Sequence, residues 1–469
     1  MNLGMVFVSM MLAPGVLAQE AAMYRVGPDH LGRVEGPGRL PKGLAWSFAT
    51  KGKVRSTPAA AGGMAFFGSD DGRFRAVDLE KGREAWGLDV GGPIPCSPAI
   101  AQGLVVFQGR DNVARALDLR TGRTVWTFAG GADLPPRPGD DVGWDFWVSS
   151  PCVEGGSVYF GSGSGQVFAL DLKSGKRRWA FPTAQRVRSS PAVKDGTVYV
   201  GGFDGQVYAL DAATGEKRWA FDTGGGIQSS PAVWEGTVFV GSRSASVFAL
   251  DARTGALRWR RPHPNGSWVL TSPAVAGGKV IVGSSDEQFL QALDAGTGEE
   301  VWRVSLRYRV LGSPVVAGGF VYVGTEGAYT YVLDLETGLV AGGLFGAEGP
   351  VNGSLALAGG RILVPSDDNT LYAFASEPAA AEAPADPGLL QPFVGRYQLG
   401  RSAVTLSLRN GRLAFERGGF PAELCRVGPA GELRVPASGL TGTLGRNAQG
   451  EPRIAFRVGE REIVAARIP

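Results

Sequence analysis

The sequence predicts an all-β fold: an eight-bladed β-propeller of four-stranded antiparallel blades, closed by an N-terminal strand and followed by a small β-barrel. Three observations carry this prediction. A Ser-Pro pattern recurs at Pro58 (there as Thr-Pro), Pro98, Pro151, Pro191, Pro231, Pro273 and Pro314, and a degenerate eighth copy places Leu355 at the proline position. Each copy holds four short apolar stretches in period-2 alternation, as in "SPCV", "SVYFG", "QVFALD" and "KRRWAF", separated by turn residues. Glycine supplies 72 of the 469 residues, roughly twice its average share of about 7%, as a chain that reverses direction so often requires.

The elements follow in order. Residues 1–18 read as a signal peptide, with an apolar stretch from Leu3 to Leu17, a small-residue "VLA" before Gln19, and cleavage expected after Ala18. That stretch is shorter than the roughly 20 residues of a spanning helix. No Cys near the cleavage point offers a lipid attachment site. The expected location is therefore periplasmic or secreted, with no lipid anchor and no transmembrane segment. Residues 19–39 form a lead-in segment and residues 40–376 the propeller.

Successive proline positions are separated by 40, 53, 40, 40, 42, 41 and 41 residues, so one interval carries a 13-residue insertion. Trp-bearing outer strands occur at Trp46, Trp86, Trp126, Trp179, Trp219, Trp259 and Trp302, with Gly342 at the eighth equivalent position. The first precedes the first Ser-Pro, and the last copy ends at Phe374 without one. "LAWSFA" should therefore pair into the final blade, hiding both open sheet edges. An Ala/Pro-rich linker covers 377–388. Residues 389–469 form a second β unit, whose stretches "GRYQLG", "VTLSLRNGRLAFER", "AELCRVGPAGELRV" and "PRIAFRVGEREIVAARI" alternate and turn at "NG", "GPAG" and "VGE".

Seven copies share one pattern, from "AVDLEKGREAW" through "ALDAATGEKRW" to "VLDLETGLVAG". Its aspartates are Asp78, Asp118, Asp171, Asp211, Asp251, Asp294 and Asp334. Each ends a strand before a tight turn, where a carboxylate accepts backbone N–H groups. The Gly that follows permits positive φ, and the Trp supplies a flat surface to wedge against the next blade. The seven carboxylates lie apart at the rim, so the expected role is blade docking rather than acid/base or metal chemistry.

This Ala-x-Asp-x-x-x-Gly-x-x-x-Trp pattern over residues 24–376 resembles the pyrroloquinoline-quinone (PQQ)-type propeller repeats, and the lead-in "MYRVGPDHLGR" looks like the segment that precedes such propellers. The resemblance implies the fold. It leaves two functions, because the family holds quinoprotein dehydrogenases as well as non-catalytic, BamB-like members that act in outer-membrane barrel assembly. The dehydrogenases carry a vicinal Cys-Cys pair, a calcium site with a catalytic Asp and often Cys-x-x-Cys-His. Here Cys96, Cys152 and Cys425 stand apart, and Cys-x-x-Cys-His is absent. The expectation is a non-catalytic, monomeric scaffold with no cofactor and no metal, whose partners are envelope or outer-membrane proteins. The alternative is a periplasmic oxidoreductase or sensor binding PQQ and calcium. The tail is similar to the lipocalin-like barrel appended to some serine hydrolases, on "FVGRYQL" and "NGRLAF".

Composition narrows the field further. A net charge of +3 with dispersed basic residues gives no nucleic-acid footprint. The only histidines are His30 and His263, too few for a zinc cluster, and His263 is expected on a surface loop. Cys96 and Cys152 are expected to stay unpaired, in corresponding strands with opposite-facing side chains, and Cys425 to pack in the tail's core.

Two groups of residues are candidates for binding. The insertion presents Asp140, Asp141, Trp144, Asp145, Phe146 and Trp147, and two uses are open for it: a recognition surface or a plug over the channel mouth. The residue before the small pair preceding each proline reads Arg55, Arg188, Gln228 and Asn352 in four blades. These four should ring the axial channel, to bind an anion or small polar ligand or simply to solvate the mouth.

Overall fold

The computed structural model describes residues 22–136, 145–342, 345–379, 386–399, 402–428, 431–458 and 461–468. The signal segment, Asp140, Asp141, Trp144 and half of the linker, residues 380–385, lie outside the described residues.

Eight sheets surround one axis. Blades I to VI are four-stranded antiparallel sheets within residues 59–89, 99–129, 152–182, 192–222, 232–262 and 274–305. Each runs from a short inner strand to a Trp-bearing outer strand. Blade VIII takes its three inner strands from 356–378 and its outer strand from Arg39–Ala49, with Trp46 opposite Ala373 and Ala49 opposite Thr370. The ring thus closes as expected.

The repeated aspartates accept hydrogen bonds within their own turns. Asp211 Oδ1 takes the N–H groups of Ala213 and Thr214, and Asp118, Asp251, Asp294 and Asp334 each bind a Thr three residues on. Asp171 binds Ser174 in the same way, and Asp78 takes Glu80 N and Lys81 N. A hydrogen bond from Arg218 holds the Asp211 carboxyl down at about 2.

Each indole then reaches the next blade. Trp46, Trp126, Trp179, Trp219, Trp259 and Trp302 donate Nε1–H to a carbonyl 2.8–3.0 Å away on the neighbouring sheet. The ring sits flat on that blade's repeat glycine. A Cβ at Gly215 would meet Trp179 at 2.7 Å, and one at Gly122 would meet Trp86 at 2.5 Å. The glycine therefore serves twice, for its φ of 76° at position 215 and for the close approach.

Blade VII, within residues 315–346, departs from the pattern for a topological reason. The outer strand of blade VIII comes from the N-terminus, so no Asp-turn-Gly hairpin exists there to receive an indole. Gly342 stands at the Trp position, and Leu40 packs beside it. The outer strand of blade VII shrinks to Phe345–Gly346. The C-terminal barrel docks on what remains: Val340 N donates to Ala422 O at 2.9 Å, and Leu424 N to Val340 O at 2.8 Å. Leu339, Ala341, Ala414, Ala422 and Leu424 bury one another across this contact. Arg412 pairs with the buried Asp334 at 2.8 Å.

The barrel itself is a nine-stranded antiparallel sheet. Its first and last strands, Glu423–Leu424 and Arg426–Val427, are separated only by Cys425, which nearly closes it. Phe415, Phe456, Leu406, Leu433 and Ile454 fill its interior, and Cys425 packs among them. All three cysteines are free and buried. Cys96, however, precedes the inner strand Ala99–Ala101 instead of lying in it, and its Sγ accepts Gln108 N.

Candidate functional site

The axial channel has a floor, a wall and a mouth, each set by one residue type in the repeat. The floor is the lead-in. Inner-strand N–H groups of Ile100, Val193, Val233, Val275 and Val316 donate to Ala22, Pro28, Asp29, Leu31 and Gly32 carbonyls at 2.6–2.9 Å. Residues 22–32 thus strap across five blades before Arg33–Pro37 joins blade VII in parallel. Arg25 anchors the strap, donating to Pro273 O and Pro314 O, and Tyr24 OH reaches Ser272 and Ser313. His30 is buried beside Tyr24. Burial, then the charge of Arg25, pushes its pKa down to about 3.

The wall is a ring of hydroxyls. Thr57 N donates to Ser97 Oγ, Ser97 N to Ser150 Oγ, Ser150 N to Ser190 Oγ, and so on through Ser230, Ser272 and Ser313 to Ser354, at 2.8–3.0 Å. The serine of each Ser-Pro therefore ties its blade to the one before it. The recurrence of a hydroxyl residue at this register in all eight copies, Thr57 in the first and Ser354 before Leu355 in the last, was the signal in the sequence for this role.

Arg55, Arg188, Gln228 and Asn352 do line the mouth, together with Pro95, Val148, Leu270 and Leu311 from the other four blades. The polar members are already engaged. Arg55 makes a two-pronged bond to Asp367, which also accepts from Asn352 Nδ2. Gln228 accepts from Arg243. Arg188 lies between Asp133 at 2.6 Å and Asp145 at 2.7 Å. Burial works against its charge, but the two carboxylates more than offset this and raise its pKa.

The described end of the insertion folds over this mouth. Asp145 is buried, and Arg186 reaches it at 2.6 Å as well as Arg188. Phe146 lies under the Arg55 guanidinium, 4.0 Å from it, and its ring centroid is 3.9 Å from that of Trp147, which lines the channel. The space left inside is about 50 Å³, room for a few waters at about 10–15 Å³ each. From Asp145 the loop face continues as an alternating stack: Arg186 over Phe203, then Arg243 between Phe203 and Trp268, with separations of 4.7–5.4 Å. None of Arg186, Phe203, Arg243 and Trp268 was singled out from sequence, because they lie on separate blades.

His263 is a correction. It is buried, its Nε2 is 2.7 Å from Gln291 Nε2, and its ring lies tilted against that of Phe289, 5.0 Å between centroids. Burial, then nearby Arg303, lowers its pKa to about 4. The loop that carries it turns inward because the apolar side of the imidazole covers Phe289. Among the described residues no group of three His, Cys, Asp or Glu side chains is placed to hold a metal ion. Nor is any helix among them long and apolar enough to cross a membrane.

A family model described as outer membrane protein assembly factor BamB matches residues 42–139, 110–229, 204–342 and 287–381. The chain belongs to that family. Among solved structures, BamB from Moraxella catarrhalis is 24% identical, with TM-score 0.59 over 71% of this chain and 99% of that one. A europium-containing methanol dehydrogenase is 14% identical, with TM-score 0.65 over 76% and 98%. A quinohemoprotein alcohol dehydrogenase from Comamonas testosteroni is 15% identical, with TM-score 0.63 over 81% and 83%. At such identities these structures share the fold with this chain, and BamB-like propellers and quinoproteins share it with each other. A search of curated proteins finds no match.

Proposed function

We propose that this chain is an exported, non-catalytic scaffold of the cell envelope that binds protein partners through the loop face carrying the insertion. The supporting observation is the condition of the channel. Its floor is strapped, its mouth is covered by Phe146 and Trp147, and about 50 Å³ remains inside. Pockets for drug-sized ligands run to about 300–1,000 Å³, so the axis offers little room for a tricyclic quinone. The loop face, in contrast, offers aromatic rings interleaved with arginines, the composition of interface hot spots.

Two measurements test the reading. A photocrosslinking side chain placed at position 146 or 268 in the producing cell should yield adducts with envelope proteins. Exclusively cytoplasmic adducts would count against it. Titrating the purified protein with pyrroloquinoline quinone and calcium, followed by absorbance and calorimetry, should show no saturable uptake; stoichiometric binding would replace the scaffold with the cofactor-binding alternative.

A further inference from the structure

The C-terminal barrel brings one side chain to the edge of the propeller that the repeat does not supply. A hydrogen-bonded turn, Phe420 N to Arg417 O at 3.1 Å, presents Phe420 at its tip. Two residues on, Ala422 is bonded to Val340 of blade VII, so the turn is held in fixed register against the propeller. Arg307, in the connection entering blade VII, lays its guanidinium 5.1 Å from the Phe420 ring, and Arg417 lies 4.5 Å away. Next to Arg307, Tyr308 pairs with Tyr329 at 5.8 Å.

Tyr308, Tyr329 and Phe420 remain 40%, 43% and 45% exposed. Arg307, the chain neighbour of Tyr308, links the exposed tyrosine pair to Phe420, and large rings left in water at a domain junction mark an interaction site. Charge says which kind. Arg417 leans toward Glu423 at 3.8 Å, whereas Arg307 forms no ion pair among the described residues. The patch is therefore aromatic with an uncompensated cation.

We propose that Arg307, Tyr308, Tyr329 and Phe420 form a docking patch, shared between blade VII and the C-terminal barrel, for an extended acidic polypeptide segment. This rests on the scaffold reading and specifies the chemistry of the partner. Such a segment would place a carboxylate on Arg307 and lay its side chains across the rings. The barrel is then part of the binding face, which explains why it is bridged to blade VII and not left swinging on its linker.

The test uses the full chain and a fluorescein-labelled synthetic peptide alternating Glu with Val and Tyr, read by fluorescence anisotropy. The wild type should bind, with affinity falling as salt rises. Phe420→Ala and Tyr308→Ala should each weaken binding about tenfold or more, and Arg307→Gln should also flatten the salt dependence. Circular dichroism and the denaturation midpoint should stay unchanged, since these rings are exposed. The matching Lys peptide should not bind. Wild-type binding that survives all three substitutions overturns the proposal, as does preference for an acidic polysaccharide such as hyaluronate. If Trp268→Ala abolishes peptide binding while Phe420→Ala does not, the scaffold reading stands and this patch is wrong. If crosslinks from position 268 also find no envelope protein, both fall.

Discussion

Asp145→Asn is the most informative single change. Arg188 contacts two carboxylates at nearly the same distance, 2.7 Å to Asp145 and 2.6 Å to Asp133. Their surroundings differ: the Asp145 side chain is 3% exposed and the Asp133 side chain 34%. Removing the charge of Asp145 leaves the guanidinium groups of Arg186 and Arg188, 5% and 1% exposed, with an uncompensated buried charge between them. Breaking a buried pair costs about 3–5 kcal/mol. Arg188 keeps Asp133, so the lower end applies, about 3 kcal/mol, equivalent to roughly a hundredfold in the opening equilibrium. Asp133→Asn should cost about 1 kcal/mol or less, because solvent screens the exposed partner. Amide hydrogen exchange over residues 145–150, with Trp fluorescence following the mouth, reads both. Equal effects from the two variants, or faster exchange spread evenly around the ring, would refute the assignment of Asp145 as the latch of the insertion.

Three further outcomes are expected. Gly342→Trp, which restores the repeat motif, should lower the denaturation midpoint, because its Cβ meets Leu40 and Val332 at 3.2 Å and no glycine hairpin waits beyond it. Ser190→Ala should cost about 1–3 kcal/mol in chemical denaturation, since it strips the acceptor from the buried Ser150 N–H. Stability should also fall between pH 7 and 4.5. His30 and His263 have folded pKa values of about 3 and about 4, below the unfolded value of 6.5, so unfolding takes up protons there. Between pH 6.5 and 4.5 each histidine gives up about 2–3 kcal/mol, and the remainder is lost as pH falls through its folded value. Urea midpoints across this range check it, and His30→Gln should flatten the slope.

The repeated sentence of Asp, Gly and Trp determined the blades by itself, because each of its parts acts within one hairpin or on the hairpin next to it. Counting indoles against Ser-Pro dipeptides was enough to pair the strand carrying Trp46 into the final blade, since a strand left over at one end must pair with the gap at the other; the register, Trp46 opposite Ala373, came from the structure. Four mouth residues were legible for the same reason: a repeat in register puts equivalent positions on one ring. Tertiary structure alone decided what that ring does. Arg188 and Arg55 read as open cations until Asp145, Asp133 and Asp367 arrive from other blades and neutralise them. The strap of Tyr24, Arg25 and His30, the stack of Phe203, Arg243 and Trp268, and the meeting of Phe420 with Arg307 join residues far apart in the chain. Periodicity fixes which face a side chain takes; which distant side chain faces it back depends on how the closed ring and the docked barrel fill space.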